Sequence, residues 1–572
     1  MQIKYLTVLL LVFSFSYAQE KEGLGTEVVN IVKPYSPTIS DAFKVKEVPV
    51  LNDSTNTEKK EVNYSIFSVP VASTFTPAKG KATAVEKAKP VKLYENYANF
   101  GFGNYTNILA ELYSNFEISR TDNFGVFLKH NSSQGGIDGL RLDDNFLDTQ
   151  LEGNYTSRQK DMTYEIKAGL EHQLYNWYGL PSFYNGASDE IINSIESKHS
   201  YFGGFAGGSI SLEDSYFKKA TANIRYLGDS FSSSEINIVL FPEFSFPIMD
   251  YTLNVDVDVD YLSGKFDKNY ENTSDIKYSF LNTGVITSFE YVTEDLFVLA
   301  GVSGYLVLDS ENKNSDFYIY PILHASYRLM EEQAIVYGGV DGGLTQNTYY
   351  SFKEENPFIS PTLDIAPTSQ QYNGFAGIKG KMSTFGYDLK VSYGKENDKA
   401  LFTLNPARTT NNGFEGYEYG NSFNVVYDDV TTLAVFGEMN FETSENFSIG
   451  INGSFYSYDT QNQEEAWNLP TIEASLFSDF NITEKIYGGV SIFYVGERKD
   501  LQYDLFYPIY AATPINLDAY VDANIYFGYR FTDQLSFFIK GNNLFGDDYQ
   551  KWVNYPVQGI QVLGGATYKF DW

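Results

Sequence analysis

The sequence predicts an all-β chain: a transmembrane antiparallel β-barrel of about 22 strands, preceded by a short periplasmic N-terminal tail. Three observations predict it. The segment Tyr251–Tyr261, YTLNVDVDVDY, alternates Val255, Val257 and Val259 with Asp256, Asp258 and Asp260. Such alternation belongs to an extended strand whose two faces meet different surroundings. Aromatic residues make up 17% of the chain, with 47 Tyr and 45 Phe, more than an ordinary core needs. Short polar turns alternate with longer connections from about residue 93 to the C-terminus.

The N-terminus reads MQIKYLTVLLLVFSFSYA: one lysine, an apolar run from Leu6 to Phe15, and small residues before Gln19. Residues 1–18 are expected to be a secretory signal peptide. No cysteine is present, which excludes a lipoprotein anchor, disulfides and thiolate metal sites. After the leader no apolar run approaches the ~18 residues of a membrane-spanning helix. The formal charge of −32 argues against a nucleic-acid partner.

Residues 19–92 carry repeated prolines (Pro34, Pro37, Pro49, Pro70, Pro77, Pro90) and many lysines, without a long alternating strand. This segment is expected to be a periplasmic tail with no large core of its own. Residues 93–572 are expected to be the barrel. Ten tight turns punctuate it, at Thr121-Asp122, Gln159–Asp161, Glu213-Asp214, Met249-Asp250, Thr293–Asp295, Glu331-Glu332, Ser383-Thr384, Ser444–Asn446, Thr483–Lys485 and Thr532-Asp533. Between them run about eleven longer connections, among them Trp177–Lys198, Gln346–Gln370, Glu396–Asn421 and Gly496–Asn516, which together imply roughly 22 strands. Both chain ends then lie on the tight-turn side, expected to be periplasmic, and the long loops lie outside. Leu296–Leu308 and Phe447–Tyr458 are long enough to cross, since a tilted strand needs ~9–11 residues. Closure is required, because an open edge in lipid leaves N–H and C=O groups unpaired.

On this reading Val255, Val257 and Val259 face lipid and the three aspartates form a lumen-facing acidic ladder. The ladder is either part of a cation-favouring or sugar-binding path or a generic polar inner face. Its spacing is not that of a calcium loop, because a strand splays the carboxylates along one face instead of around one ion. The loop aromatics Tyr349, Tyr350 and Phe352, and Tyr503, Phe506, Tyr507 and Tyr510, are candidates for contact with a ligand or partner; near strand ends an interfacial girdle competes with that role. His130, His172, His199 and His324 lack zinc spacing, and His130 reads as a solvated loop histidine. The paired glycines Gly338-Gly339 and Gly342-Gly343 lack the Lys-Ser/Thr of a phosphate loop and suit close packing in the wall. No enzyme, cofactor or metal is expected.

The stretch IKGNNLFGDDYQKWVNYPVQGIQVLGGATYKFDW resembles the C-terminal strands of TonB-dependent outer-membrane receptors. The resemblance rests on Asn543-Leu544-Phe545, Tyr549, Tyr555-Pro556, Gly559 and the terminal Phe570 and Trp572. It covers residues 93–572, is specific at the C-terminus and is a matter of pattern elsewhere. It implies a 22-stranded outer-membrane barrel, a solute channel or receptor for uptake, lipid as surroundings, and TonB or a surface lipoprotein as partner. Phe570 and Trp572 resemble the signal that the barrel-assembly machinery reads during insertion. The opening LYENYANFGFGNY resembles plug-less members found in Bacteroidota. Receptors of this family carry a plug domain behind a TonB box; Thr26–Val29 is faintly like such a box, but about 74 residues are too few for the plug. Energy-coupled import is therefore left open. The alternative is a non-transporting structural or accessory barrel within a larger outer-membrane assembly or secretion complex.

Overall fold

The computed structural model describes residues 92–271, 274–408, 414–444, 446–503 and 511–572. The expected leader, the tail with Thr26–Val29, and Phe506, Tyr507 and Tyr510 lie outside them. The described residues form one antiparallel sheet of 22 strands. It closes on itself because the first strand, Asn96–Gly103, pairs with the last, Gln561–Phe570. Among the described residues no helix is long and apolar enough to cross a membrane.

Each tight turn expected from the sequence joins neighbouring strands. Met249, Glu331 and Ser383 take φ of 55°, 42° and 52° there, the left-handed backbone that short hairpins require. At the other end the connections lengthen, reaching 177–197, 346–367, 405–422 and 543–560. Two expected loops differ. The polar stretch after Glu396 stays in the strand Phe385–Leu404, passing a register shift between Glu396 and Lys399 before pairing up to Leu404↔Phe423. Its apolar end, Leu401, Phe402 and Leu404, is buried, and that burial draws the pairing onward. The connection after Gly496 contains its own hairpin, Arg498–Tyr503 with Ala512–Leu517. His130 is likewise a strand residue, with its ring nitrogens bonded to the hydroxyls of Thr149 (2.8 Å) and Ser132 (3.1 Å).

The wall shows which face meets lipid. Along Ile276–Val292, Val285 and Phe289 are exposed while Asn282 and Ser288 are buried. Leu306, Phe317, Ile319, Leu389 and Val391 continue the exposed apolar surface on other strands of the sheet. A band of this extent on the outside of a closed barrel is the surface that hydrocarbon covers. At the tight-turn end outward aromatics pair: Tyr216 with Phe246 (5.4 Å), Tyr251 with Tyr291 (5.3 Å) and Phe116 with Trp572 (5.6 Å). This is the interfacial placement that amphipathic rings favour. Gly339 shows why the wall uses glycine here, since a Cβ at that position would lie 2.1 Å from the Leu323 carbonyl oxygen.

Candidate functional site

At the long-loop end the connections do not splay outward. They fold together into a roof that shares a hydrophobic core with the upper wall. Tyr201, Leu262, Phe280 and Val307 of the strands pack with Tyr349, Phe352, Ile359 and Leu363 of loop 346–367 and with Trp552 and Tyr555 of loop 543–560. Bulky apolar side chains in these loops account for the collapse, because exposing that many rings to water costs more than ordering the chain.

Loop 346–367 is the centre of the roof. It begins with the helix Tyr349–Glu355, opened by a capping box in which the Thr348 hydroxyl accepts from the Ser351 amide and the Ser351 hydroxyl from the Thr348 amide. A seven-residue helix does not persist alone. Here the wall holds it at both ends. Glu235, 3% exposed, accepts from the Tyr349 amide (2.7 Å), the Tyr350 amide (3.0 Å) and the Tyr278 hydroxyl (2.8 Å). A carboxylate at the positive end of the helix satisfies donors that have no partner within the helix. Asp229 accepts from the Tyr349 hydroxyl at 2.8 Å and lies 3.3 Å from His199 Nε2. Lys353, whose side chain is wholly buried, donates to Gln173 Oε1 and Glu354 Oε1 (both 2.8 Å) and sits 3.4 Å from Glu171. Its ammonium also lies over the Tyr350 ring at 4.3 Å.

Beyond the helix, Phe358 stacks on Tyr555 at 3.8 Å, the Trp177 indole donates to the Phe358 carbonyl (3.0 Å), and the Tyr201 hydroxyl to the Pro357 carbonyl (3.3 Å). Tyr555 in turn donates to the Asn421 carbonyl, and Asn421 Nδ2 donates to the Trp177 carbonyl at 2.8 Å. Four loops thus bond to one another across the mouth. Gly416 lets two of them meet: a Cβ there would lie 1.8 Å from the Glu196 carbonyl oxygen.

The hairpin Arg498–Leu517 closes another side. Arg498 donates to the carbonyls of Lys551 (2.5 Å) and Gln550 (2.8 Å). Asp500, fully buried, accepts from the amides of Leu404 (3.0 Å) and Leu501 (2.7 Å) and from Asn468 Nδ2 (2.8 Å). Burial nevertheless outweighs these bonds and pushes its carboxyl up to about 6. The folded hairpin therefore holds a proton that the unfolded chain has released, so its stability is greatest below about pH 4 and falls as pH rises to about 6. The loss is about 3 kcal/mol by pH 7. Amide exchange of Arg498–Tyr503, corrected for intrinsic rate, should accelerate between pH 5 and 7.5, and Asp500→Asn should remove that dependence. Equal protection at both pH values in the parent protein would count against it. A cavity of about 240 Å³ lies beside the hairpin, lined by Tyr503, Leu517, Pro181, Phe183 and Val553.

The roof changes the standing of the aromatic candidates. Tyr349 and Phe352 are 0% and 3% exposed, so their rings serve the core and offer no face to an outside ligand, contrary to the expectation from sequence. Tyr350 is half-buried against Arg225, whose guanidinium lies 3.8 Å over its ring. Tyr503 borders the cavity just described. The aspartates lie on the strand Tyr251–Phe266 and share a face with Leu262 and Phe266, both buried in the roof core. Asp258 accepts from the Tyr305 hydroxyl (3.3 Å) and Asp260 from Asn237 Nδ2 (2.6 Å). Phe570 stacks beside Tyr568, and the Trp572 indole donates to Ser114 Oγ at 2.9 Å. Sequence reasoning did not reach Glu235, Asp229 or Lys353. The Thr348-x-x-Ser351 cap was the one local signal for the helix; its anchors stand more than a hundred residues away. Among the described residues no group of three or more His, Asp or Glu side chains is placed to hold a metal ion.

No family profile and no curated protein matches this chain. Solved structures do. The FrpB iron transporter of Neisseria meningitidis (F3-3 variant) superposes with a TM-score of 0.63 at 11% identity, over 84% of this chain and 82% of that one. The siderophore receptor PirA of Acinetobacter baumannii gives 0.61 at 14% identity, over 83% and 80%. FpvA of P. aeruginosa, bound to heterologous pyoverdines, gives 0.62 at 13% identity, over 84% and 72%. These neighbours are receptors and transporters, not enzymes. At such identities the likeness is one of fold, and it agrees with the motif at the C-terminus. The chain is built on the barrel fold of the TonB-dependent outer-membrane receptors.

Proposed function

We propose that this protein is an outer-membrane receptor for uptake of a solute, with its long loops at the cell surface and both chain ends in the periplasm. The observation that carries the reading is the roof: a wide barrel whose outer mouth is bridged by a bonded set of loops, with polar side chains on the wall beneath. The fold-level likeness to iron and siderophore receptors supports it by analogy. Phe570 and Trp572 would be read by the barrel-assembly machinery during insertion, and TonB or a surface lipoprotein would be the working partner.

The same roof favours a second reading, a non-transporting accessory barrel in an assembly or secretion complex whose bridged mouth is a docking surface. Conductance in planar bilayers separates the two. The intact protein should conduct weakly, and replacing residues 349–363 by a flexible Gly/Ser linker should raise conductance at least tenfold. An unroofed barrel that still does not conduct would sink the uptake reading. Mild-detergent purification with mass spectrometry adds a second test: TonB or a surface lipoprotein supports uptake, whereas a stoichiometric assembly or secretion complex supports the accessory role.

A further inference from the structure

The acidic strand is more than three carboxylates in a row. The strand Ser234–Ile248 places Glu243 directly opposite Asp256, and the strand Ile276–Val292 places Asn282 directly opposite Asp260. Residues opposite each other in an antiparallel pair carry their side chains on the same face, with Cβ atoms about 4.5–5.5 Å apart. Four carboxylates therefore occupy one patch of wall, and two of them, Glu243 and Asp256, are like charges in direct apposition.

Their partners are neutral. Asn237 Nδ2 serves Asp260 and the Tyr305 hydroxyl serves Asp258. Among the described residues no lysine, arginine or histidine is within ion-pair distance of Glu243, Asp256, Asp258 or Asp260. A second, independent observation points the same way. Asn282 is 3% exposed and spends its Nδ2 on Gln346 Oε1 at 2.8 Å, yet among the described residues its Oδ1 has no donor. A buried amide oxygen without a donor loses its hydration for nothing in return. Here it stands opposite a carboxylate, and a cation between the two would satisfy both.

We infer that this wall binds hard divalent cations at two positions, one between Asp256 and Glu243 and one between Asp260 and Asn282. Oxygen donors of this kind select cations of the calcium class, whose metal–oxygen distances of about 2.3–2.6 Å and variable coordination leave water to complete the shell. Residues two apart on a strand stand about 6.7 Å apart. No single ion spans the ladder, and each position instead draws its second ligand from the neighbouring strand. Asp258, which accepts from the Tyr305 hydroxyl, lies between the two positions along the wall. The inference is independent of whether the barrel conducts a solute.

The test uses the full-length protein in detergent, stripped with EDTA and titrated calorimetrically with CaCl2 at pH 7, with terbium luminescence excited through tyrosine as a second readout. The parent protein should bind calcium, and the Glu243→Gln/Asp256→Asn double variant should lose one position, with at least tenfold weaker binding there. Asn282→Asp adds a carboxylate beside Asp260 and should bind at least tenfold more tightly at the other, which keeps the test decisive if the double variant fails to reach the heat-modifiable barrel form. No calcium binding by the parent protein up to millimolar concentration would overturn the inference. Binding that is the same in the parent and in every folded variant would overturn it equally, because the ions would then sit on other carboxylates.

Discussion

Replacing Lys353 by methionine is expected to release the helix Tyr349–Glu355 from the wall while leaving the barrel closed. Methionine keeps the apolar stem but removes the charge that Glu171, Glu354 and Gln173 surround. Taking one partner from a buried ionic group strands the others, at a cost of about 3–5 kcal/mol. Glu171 and Glu354 keep some access to water, so the lower figure applies here. About 3 kcal/mol corresponds to roughly a hundredfold loss of exchange protection, confined to the segment that opens. Hydrogen exchange should therefore show the amides of 349–355 losing about that factor, with strand amides unchanged. Protection that stays at the parent level would mean that Glu235 and the aromatic core hold the helix without Lys353.

Gly416→Leu should part the roof at a different seam. The backbone at Gly416 is not left-handed, so the argument concerns space alone: the Cβ site is 1.8 Å from the Glu196 carbonyl oxygen, and backbone cannot move aside as a side-chain tip can. The Gly416 carbonyl also accepts from Asn421 Nδ2, which carries the bond to Trp177. Loops 177–197 and 405–422 should separate, and trypsin should cut after Arg408 at least tenfold faster than in the parent protein. The sheet below makes its hydrogen bonds strand to strand and should keep its heat-modifiable migration. An unchanged cleavage rate would show that the seam tolerates a larger side chain and that the roof is looser than these contacts imply.

The two predictions concern the part of the molecule that the sequence disclosed least. Alternation such as Val255–Asp260, the tight turns and the run of long strands were legible because each depends on a few consecutive residues. A strand's period of two sorts side chains by face whatever its neighbours are, and a hairpin turn needs only its own backbone. The strand count followed from the turns, and closure followed from the demand that lipid makes on every backbone group. Reading the stretch after Glu396 as a loop failed for a related reason. Its polar composition is a local signal, but the burial of Leu401, Phe402 and Leu404 beneath the roof overrode it.

The amino-acid sequence by itself therefore determined the architecture: a closed antiparallel barrel of about 22 strands, 22 in the structure, with an apolar outside and short turns at one end. Only the tertiary structure decided what the long loops do. Tyr349 and Phe352 read as rings free to meet a ligand or partner, and nothing local singled out Lys353, because the residues that surround them, Glu235, Asp229 and Gln173, come from strands more than a hundred positions earlier. The pairing of Asp256 with Glu243 and of Asp260 with Asn282 arose in the same way, from register between strands. Face and period are properties of a segment. Whether a charge is paired, a ring is buried or an oxygen lacks a donor depends on which distant segment folds against it, and closure of the barrel sets those neighbours.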